Sequence, residues 1–240
     1  AKLRILIALL AGLGMSWFAL PAQLEIPLHI TLFLILLFGL VNVGLVNMVN
    51  FYDGADLNLS VFVIIQSVFL ILHLPAGHWL HLGAAALICF ALAFSCFNHK
   101  PETVYFGDSG CFVFAGILTL MTVNFIFDPQ VDQPTIFIPL ALPFLDVAFV
   151  MTVRILRGHD LLSRNYMHLY QRLQRRFADR RYLAPQVMNA GMCYGCAIIL
   201  ENAGVMPLVA VGAALIVVTP LIYFGARAVF LAGPVEGPLQ

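Results

Sequence analysis

Long apolar runs alternate along this chain with short polar islands, and most of the runs have the length of a membrane crossing. Lys2 and Arg4 precede a run to Leu20 that ends at Pro21 to Glu25. Later runs cover Leu28 to Val46, Leu59 to Leu74, Leu80 to Phe97, Cys111 to Phe127, Thr135 to Val153, Val187 to Leu200 and Leu208 to Arg227. A helix rises about 1.5 Å per residue and the hydrocarbon core is about 30 Å thick, so runs of this kind predict spans. Unbroken apolar runs argue for helices, because the strands of a membrane barrel alternate residue by residue. The fold expected is therefore all-α: a polytopic helical bundle with about eight transmembrane helices, forming a single domain over 1–240.

The loops can be oriented by their basic residues. With the Lys2 end placed in the cytoplasm, alternate loops carry Lys100, Arg154, Arg157, Arg164, Arg172, Arg175, Arg176, Arg180, Arg181 and Arg227 to that same side. The opposite loops hold Glu25, Asp128, Asp132 and Glu201 and no Lys or Arg. So complete a partition supports both the count and the orientation. It places Asp53, Asp56, Asp108 and the basic stretch Arg154 to Arg181 on the cytoplasmic face.

Composition agrees. Hydrophobic residues make up 62% and charged residues 10%, against roughly a quarter charged in soluble proteins. Acids and bases balance at 12 each, so net charge says nothing about partners. Five cysteines lie in apolar context, and Cys193-x-x-Cys196 falls inside a span with no second pair or His nearby. They read as small core residues rather than a redox or metal pair.

The chemistry sits in the islands. Asn47, Asn50, Asp53 and Asp56 lie together with no basic residue among them, and acids at the edge of hydrocarbon mark a functional site. Asn47 and Asn50 share a helix face one turn before Asp53. A second island runs from Asn98 through Lys100 to Gly107-Asp108-Ser109-Gly110, where an acid between glycines allows close backbone approach to a ligand. In the third island Arg164, His168 and Arg172 are spaced by four, which in a helix makes one stripe able to grip phosphate. One or two carboxylates with a substrate diphosphate suit magnesium, which keeps water and phosphate oxygens in its shell. Asp146, inside a span, is either a catalytic partner or a buried hydrogen-bonding group. His29, His73, His78 and His81 sit by the opposite loops and read as interfacial.

Asn47-x-x-Asn50-x-x-Asp53-Gly54-x-Asp56, Asn98-x-x-Pro101 with Tyr105 to Gly110, Pro139 to Asp146, and His168-Leu-Tyr-Gln-Arg-Leu173 occur in that order. Together they resemble the signatures of the polyprenyl-phosphate N-acetylhexosamine-1-phosphate transferases, and they cover Asn47 to Leu173. The resemblance implies transfer of a sugar 1-phosphate from a UDP-sugar to undecaprenyl phosphate, with Mg2+ and release of UMP, at the bacterial inner membrane. It implies Asp108 as the metal ligand, and Asn47, Asn50, Asp53 and Asp56 as shaping the nucleotide and metal pocket. His168, Arg164 and Arg172 would engage substrate phosphates, with Asn98 and Lys100 beside them. The catalytic set expected is Asp53, Asp56, Asp108 and His168. A homodimer is a reasonable assembly for such a protein.

Some positions depart from the family pattern. Leu57 stands where many relatives have Gly, and Cys111 where Ser is common. Tyr170 and Gln171 fit the O-antigen and glycan-initiating branch better than the peptidoglycan branch. The family's acidic pair would precede Lys2, so Ala1 is expected to be an internal start and this stretch alone to be inactive. Two other classes stay open: a transporter, which would carry acids in mid-span and symmetric halves, and a non-catalytic scaffold, which would lack the acidic pair in the native gene.

Overall fold

The computed structural model describes residues 2–20, 26–99, 104–127, 134–160, 167–177 and 180–231. Its helices are α1 (Lys2–Ala19), α2 (Leu28–Tyr52), α3 (Asn58–His73), α4 (Leu80–Asn98), α5 (Gly107–Phe127), α6 (Ile138–Leu156), α7 (Leu169–Arg176), α8 (Ala184–Asn202) and α9 (Pro207–Leu231). Short 3-10 turns lead into α6 and α8, where Pro139 and Pro185 occupy first-turn positions that need no amide donor. No strand occurs among the described residues. This is a polytopic helical membrane protein, as the apolar pattern predicts.

The eight expected spans correspond to α1–α6, α8 and α9. Six of them are long and apolar enough to cross a membrane, whereas Leu3–Phe18 and Asn58–His73 fall short. At 16 residues α3 is only about 24 Å long, less than a hydrocarbon core. One face of it packs into protein, with Phe62, Val63, Gln66 and Ser67 buried, while Val68, Ile71 and Leu72 face outward. Large apolar side chains such as Leu10, Phe33, Leu82 and Ile216 point outward elsewhere, which a lipid environment accommodates.

Close packing of α1, α2 and α5 sets the frame of the site. A Cβ on Gly12 would lie 2.9 Å from the Gly39 Cα, so α1 and α2 touch backbone to backbone, as small residues permit in membranes. Buried Asn42 fastens both neighbours to α2. Its Nδ2 donates to the Ala8 carbonyl at 2.7 Å, and its Oδ1 accepts from the Thr119 hydroxyl of α5 at 2.8 Å. A satisfied amide at such depth holds the three helices at one register.

Candidate active site

The site grows from the end of α2. Asp53 follows the last helical turn and turns its carboxylate to the start of α5, where Oδ1 accepts from the Phe106 amide at 3.0 Å and Oδ2 from the Gly107 amide at 2.9 Å. A carboxylate fits there because the first amides of a helix have no internal acceptors and the dipole favours negative charge. Gly107 has φ +66, a conformation glycine adopts without cost. Burial pushes the Asp53 carboxyl above its ordinary range, and the two amide bonds partly offset this.

The clasp leaves Asp108 one residue further on, facing outward with 65% of its side chain exposed. Arg4 of α1 reaches it at 3.1 Å through Nη1 and donates through Nη2 to Asn47 Oδ1 at 3.0 Å. With its amide oriented to satisfy both neighbours, Asn50 donates to Asp108 Oδ1 at 3.0 Å and accepts from Arg4 at 3.2 Å. The asparagine pair of the first island thus flanks the acid of the second, and Arg4 ties them together.

Asn98 ends α4 fully buried and braces the loops: its Oδ1 accepts from the Leu57 amide at 2.6 Å and its Nδ2 donates to the Val104 carbonyl at 2.5 Å. Leu57 itself is left-handed, with φ 60, where the family pattern has glycine. Asp56 is half-buried. Its backbone carbonyl accepts from the Tyr182 hydroxyl at 2.5 Å, and burial raises its carboxyl while Arg180 pulls the other way.

The third island docks on the first. His168 precedes α7, is 1% exposed, and packs against Phe51 in a tilted arrangement at 4.8 Å between ring centroids. Tyr170 donates its hydroxyl to the Phe51 carbonyl. That hydroxyl comes so near Gly54 that an added Cβ there would lie 2.6 Å away, so glycine is what lets α7 approach. Beneath, Asp146 of α6 gathers three donors: His168 Nδ1 at 2.9 Å on Oδ2, the Leu169 amide at 2.9 Å and the Tyr223 hydroxyl at 2.8 Å on Oδ1. Arg227 donates to the Tyr223 oxygen at 2.8 Å. With Nδ1 committed to a carboxylate, His168 is left with Nε2, and that atom is buried without a hydrogen-bond partner among the described residues.

The residues expected from sequence therefore fall into two linked clusters. Asn47, Asn50, Asp53 and Asp108 meet where α2 faces α5, and His168 rests on the end of α2, with Asp56 and Asn98 in the adjoining loops. Arg172 lies one turn beyond His168 on α7, so that half of the expected basic stripe forms. Lys100 and Arg164 lie outside the described residues. Arg4, Tyr223 and Arg227 join the site only through the fold. In the sequence Arg4 and Arg227 serve as orienting charges, and nothing in the apolar run of α9 distinguishes Tyr223, although its spacing of four from Arg227 puts both on one face. Asp146 resolves toward a buried acceptor that holds His168.

Among the described residues no three His, Cys, Asp or Glu side chains cluster as a metal site. The donor set nevertheless fits a magnesium ion bound mostly by substrate and water, because Asp108 is one exposed carboxylate with neutral amides beside it and Arg4 engages only its Oδ1.

Comparison with known proteins covers the stretch that holds the first two islands. The sequence profile of glycosyl transferase family 4 matches residues 1–126. The chain belongs to glycosyl transferase family 4. Within the family, it is 34% identical over 101 residues to a phospho-N-acetylmuramoyl-pentapeptide-transferase of Streptococcus pyogenes serotype M49, covering 41% of this chain and 30% of that relative. It is 26% identical over 167 residues to a probable undecaprenyl-phosphate N-acetylglucosaminyl 1-phosphate transferase of Bacillus subtilis, covering 67% of this chain and 46% of the relative. The chain thus spans less than half the length of these two family 4 proteins. No solved structure matches.

Proposed function

We propose that this family 4 chain carries the catalytic face of a phosphoglycosyl transferase, which moves an N-acetylhexosamine 1-phosphate from a UDP-sugar to undecaprenyl phosphate and releases UMP. The observation that carries the reading is the Asp108 cluster: an exposed carboxylate fixed by Arg4 and flanked by Asn47 and Asn50, at the mouth of a helix whose first amides are clasped by Asp53. Carboxylate, amides and cations around one opening suit a diphosphate and its counter-ion.

In this reaction an oxygen of the lipid phosphate attacks the sugar-linked phosphorus. The bond from that phosphorus to the bridging oxygen breaks, and the electron pair leaves with UMP. Asp108 would hold magnesium, which when bound offsets charge on the diphosphate. Asn47 and Asn50 orient the nucleotide side without adding charge. Asp53 and Asn98 act through the backbone they brace. His168 and Arg172 face the phosphates, with Asp146 fixing the imidazole. Positioning and electrostatics carry the rate, as expected for phosphoryl transfer. The bias of basic residues toward these helix ends supports a cytoplasmic face at a bacterial inner membrane, and the product would initiate a surface glycan such as an O-antigen.

The test is UMP release by membranes holding the complete protein, given Mg2+, undecaprenyl phosphate and a panel of UDP-sugars. Turnover should require the metal and vanish in Asp108→Asn. Wild-type turnover by Asp108→Asn with every accepted donor would remove the metal assignment, and no turnover with any donor would remove the reaction.

A further inference from the structure

A cleft of about 320 Å³ opens between the ends of α3 and α8 and the turn that leads into α6, with His73, Thr135, Tyr194 and Glu201 on its walls. The transfer reaction does not use it. α3 starts beside the Asp56 loop and ends at His73 about 24 Å away, so the cleft and the Asp108 cluster lie at opposite ends of the helices. Its polar atoms are short of partners. The half-buried Glu201 carboxylate makes no hydrogen bond or ion pair among the described residues, and the buried Thr135 hydroxyl also lacks a partner among them. His73 donates through Nδ1 to the Phe69 carbonyl at 2.8 Å, which leaves the neutral ring a lone pair on Nε2. Tyr194 meets that ring edge-on at 5.3 Å, and Phe69 stacks on it at 5.8 Å.

These surroundings favour positive charge. α3 and α8 both end at the cleft, and the carboxyl end of a helix carries partial negative charge. The turn at Thr135 brings an amino end, but Pro134 and Pro139 have no amide to donate there. The segments that join α1 to α2, α3 to α4, α5 to α6 and α8 to α9 contain no Lys or Arg, so none of them offers Glu201 a counter-charge. A carboxylate left in that state at the edge of hydrocarbon is costly, and a cation from outside the chain removes the cost.

A metal ion is poorly served here, since no three His, Cys, Asp or Glu side chains cluster among the described residues. A carboxylate, an imidazole lone pair, a hydroxyl and an aromatic ring suit instead an ammonium group, which has three N–H donors and is attracted to ring faces. Leu72 and Ile198 face outward beside these groups and give an attached apolar chain a surface to lie on. We infer that this cleft binds a primary ammonium group, with Glu201 as its counter-ion and His73 and Thr135 as hydrogen-bond acceptors. The headgroup of an aminophospholipid and a soluble amine share that chemistry.

Binding here is independent of the transfer reaction, and its test reads no turnover. The complete protein, purified in dodecyl maltoside, is titrated with short-chain phosphatidylethanolamine and, separately, with phosphatidylcholine, whose quaternary ammonium has no N–H to donate. Native mass spectrometry gives each Kd, and Tm is followed alongside. Wild type should prefer the ethanolamine lipid about tenfold, and Glu201→Gln should remove most of that preference. His73→Phe, which keeps a ring against Phe69 and Tyr194 but has no Nε2, should lose a smaller part. Without lipid, Glu201→Gln should melt at or above the wild-type temperature, because the charge it removes has no partner. An equal preference in wild type and Glu201→Gln, or no preference in wild type, overturns the site. A Glu201-dependent rise in Tm with Ca2+ or Zn2+ but with neither lipid overturns the ammonium assignment. Glycerophosphoethanolamine, the headgroup without its chains, separates the sources: displacement of the lipid at equal concentration assigns the cleft to a soluble amine, and failure to displace it assigns the cleft to a lipid headgroup.

Discussion

The imidazole of His168 and the carboxylate of Asp146 meet at 2.9 Å with both side chains 1% exposed. The pair spans α6 and the start of α7, so it fixes at once where α7 begins and which ring nitrogen stays free. Replacing Asp146 by Asn leaves an amide that cannot accept from three donors, and sugar-phosphate transfer should fall about a hundredfold or more, in line with loss of a carboxylate that orients a histidine. Asp146→Ala, which breaks a buried pair outright, should cost about 3–5 kcal/mol of stability as well. Turnover and thermal unfolding measured on both variants check this.

Asn98 has its amide committed at both ends to the backbone, at Leu57 and Val104. Asn98→Ala would leave the part-buried Leu57 amide and the Val104 carbonyl without this partner, at about 1 kcal/mol for each hydrogen bond lost. Limited proteolysis should then cut the loops after α2 and before α5 faster than in wild type, and a UDP-sugar should show a higher KM.

Leu57 occupies a left-handed conformation with φ 60. A side chain there costs about 1–2 kcal/mol, and glycine returns about 0.5–1 kcal/mol of that through its freer unfolded state. Leu57→Gly should therefore raise stability by roughly 0.5 kcal/mol, while β-branched Leu57→Val should lower it. A pair of melting curves in matched detergent distinguishes the two signs.

Burial raises the Asp53 carboxyl above its unfolded value despite two amide donors. The folded chain then binds that proton more tightly than the unfolded chain. The resulting stability is complete below the unfolded pKa and is lost as pH rises through the raised folded value. Melting temperature against pH through the upper carboxylate range should fall more steeply for wild type than for Asp53→Ser, which has no such proton.

Much of this was legible from the residues. The apolar runs gave the helices because backbone groups in lipid must bond within their own segment, and the polar islands fell at helix ends on one side. Asn47, Asn50, Asp53 and Asp56 stand out in the sequence as one polar island between apolar runs, and Asp108 stands out in a second. What stayed hidden was partnership. Arg4 looked like an orienting charge, yet it bonds Asp108 across 104 positions. Tyr223 in α9 looked like any aromatic in a span, since only the fold brings its hydroxyl to Asp146. Asp53 read as an acid for chemistry, whereas its two oxygens face amides of α5. Asn42 drew no attention, because an amide within an apolar run does not announce which neighbours it ties. A linear pattern reports what must be sheltered or satisfied; it does not name the distant group that does so.

Tyr223 belongs to α9, while the acid and imidazole it supports come from α6 and the start of α7. A ribosome would have threaded every signature residue into the bilayer before the hydroxyl that completes their setting left the exit tunnel. Nascent chains halted ahead of residue 223 should hold Asp146 one donor short, so the setting of His168 would be complete only after most of α9 has been made.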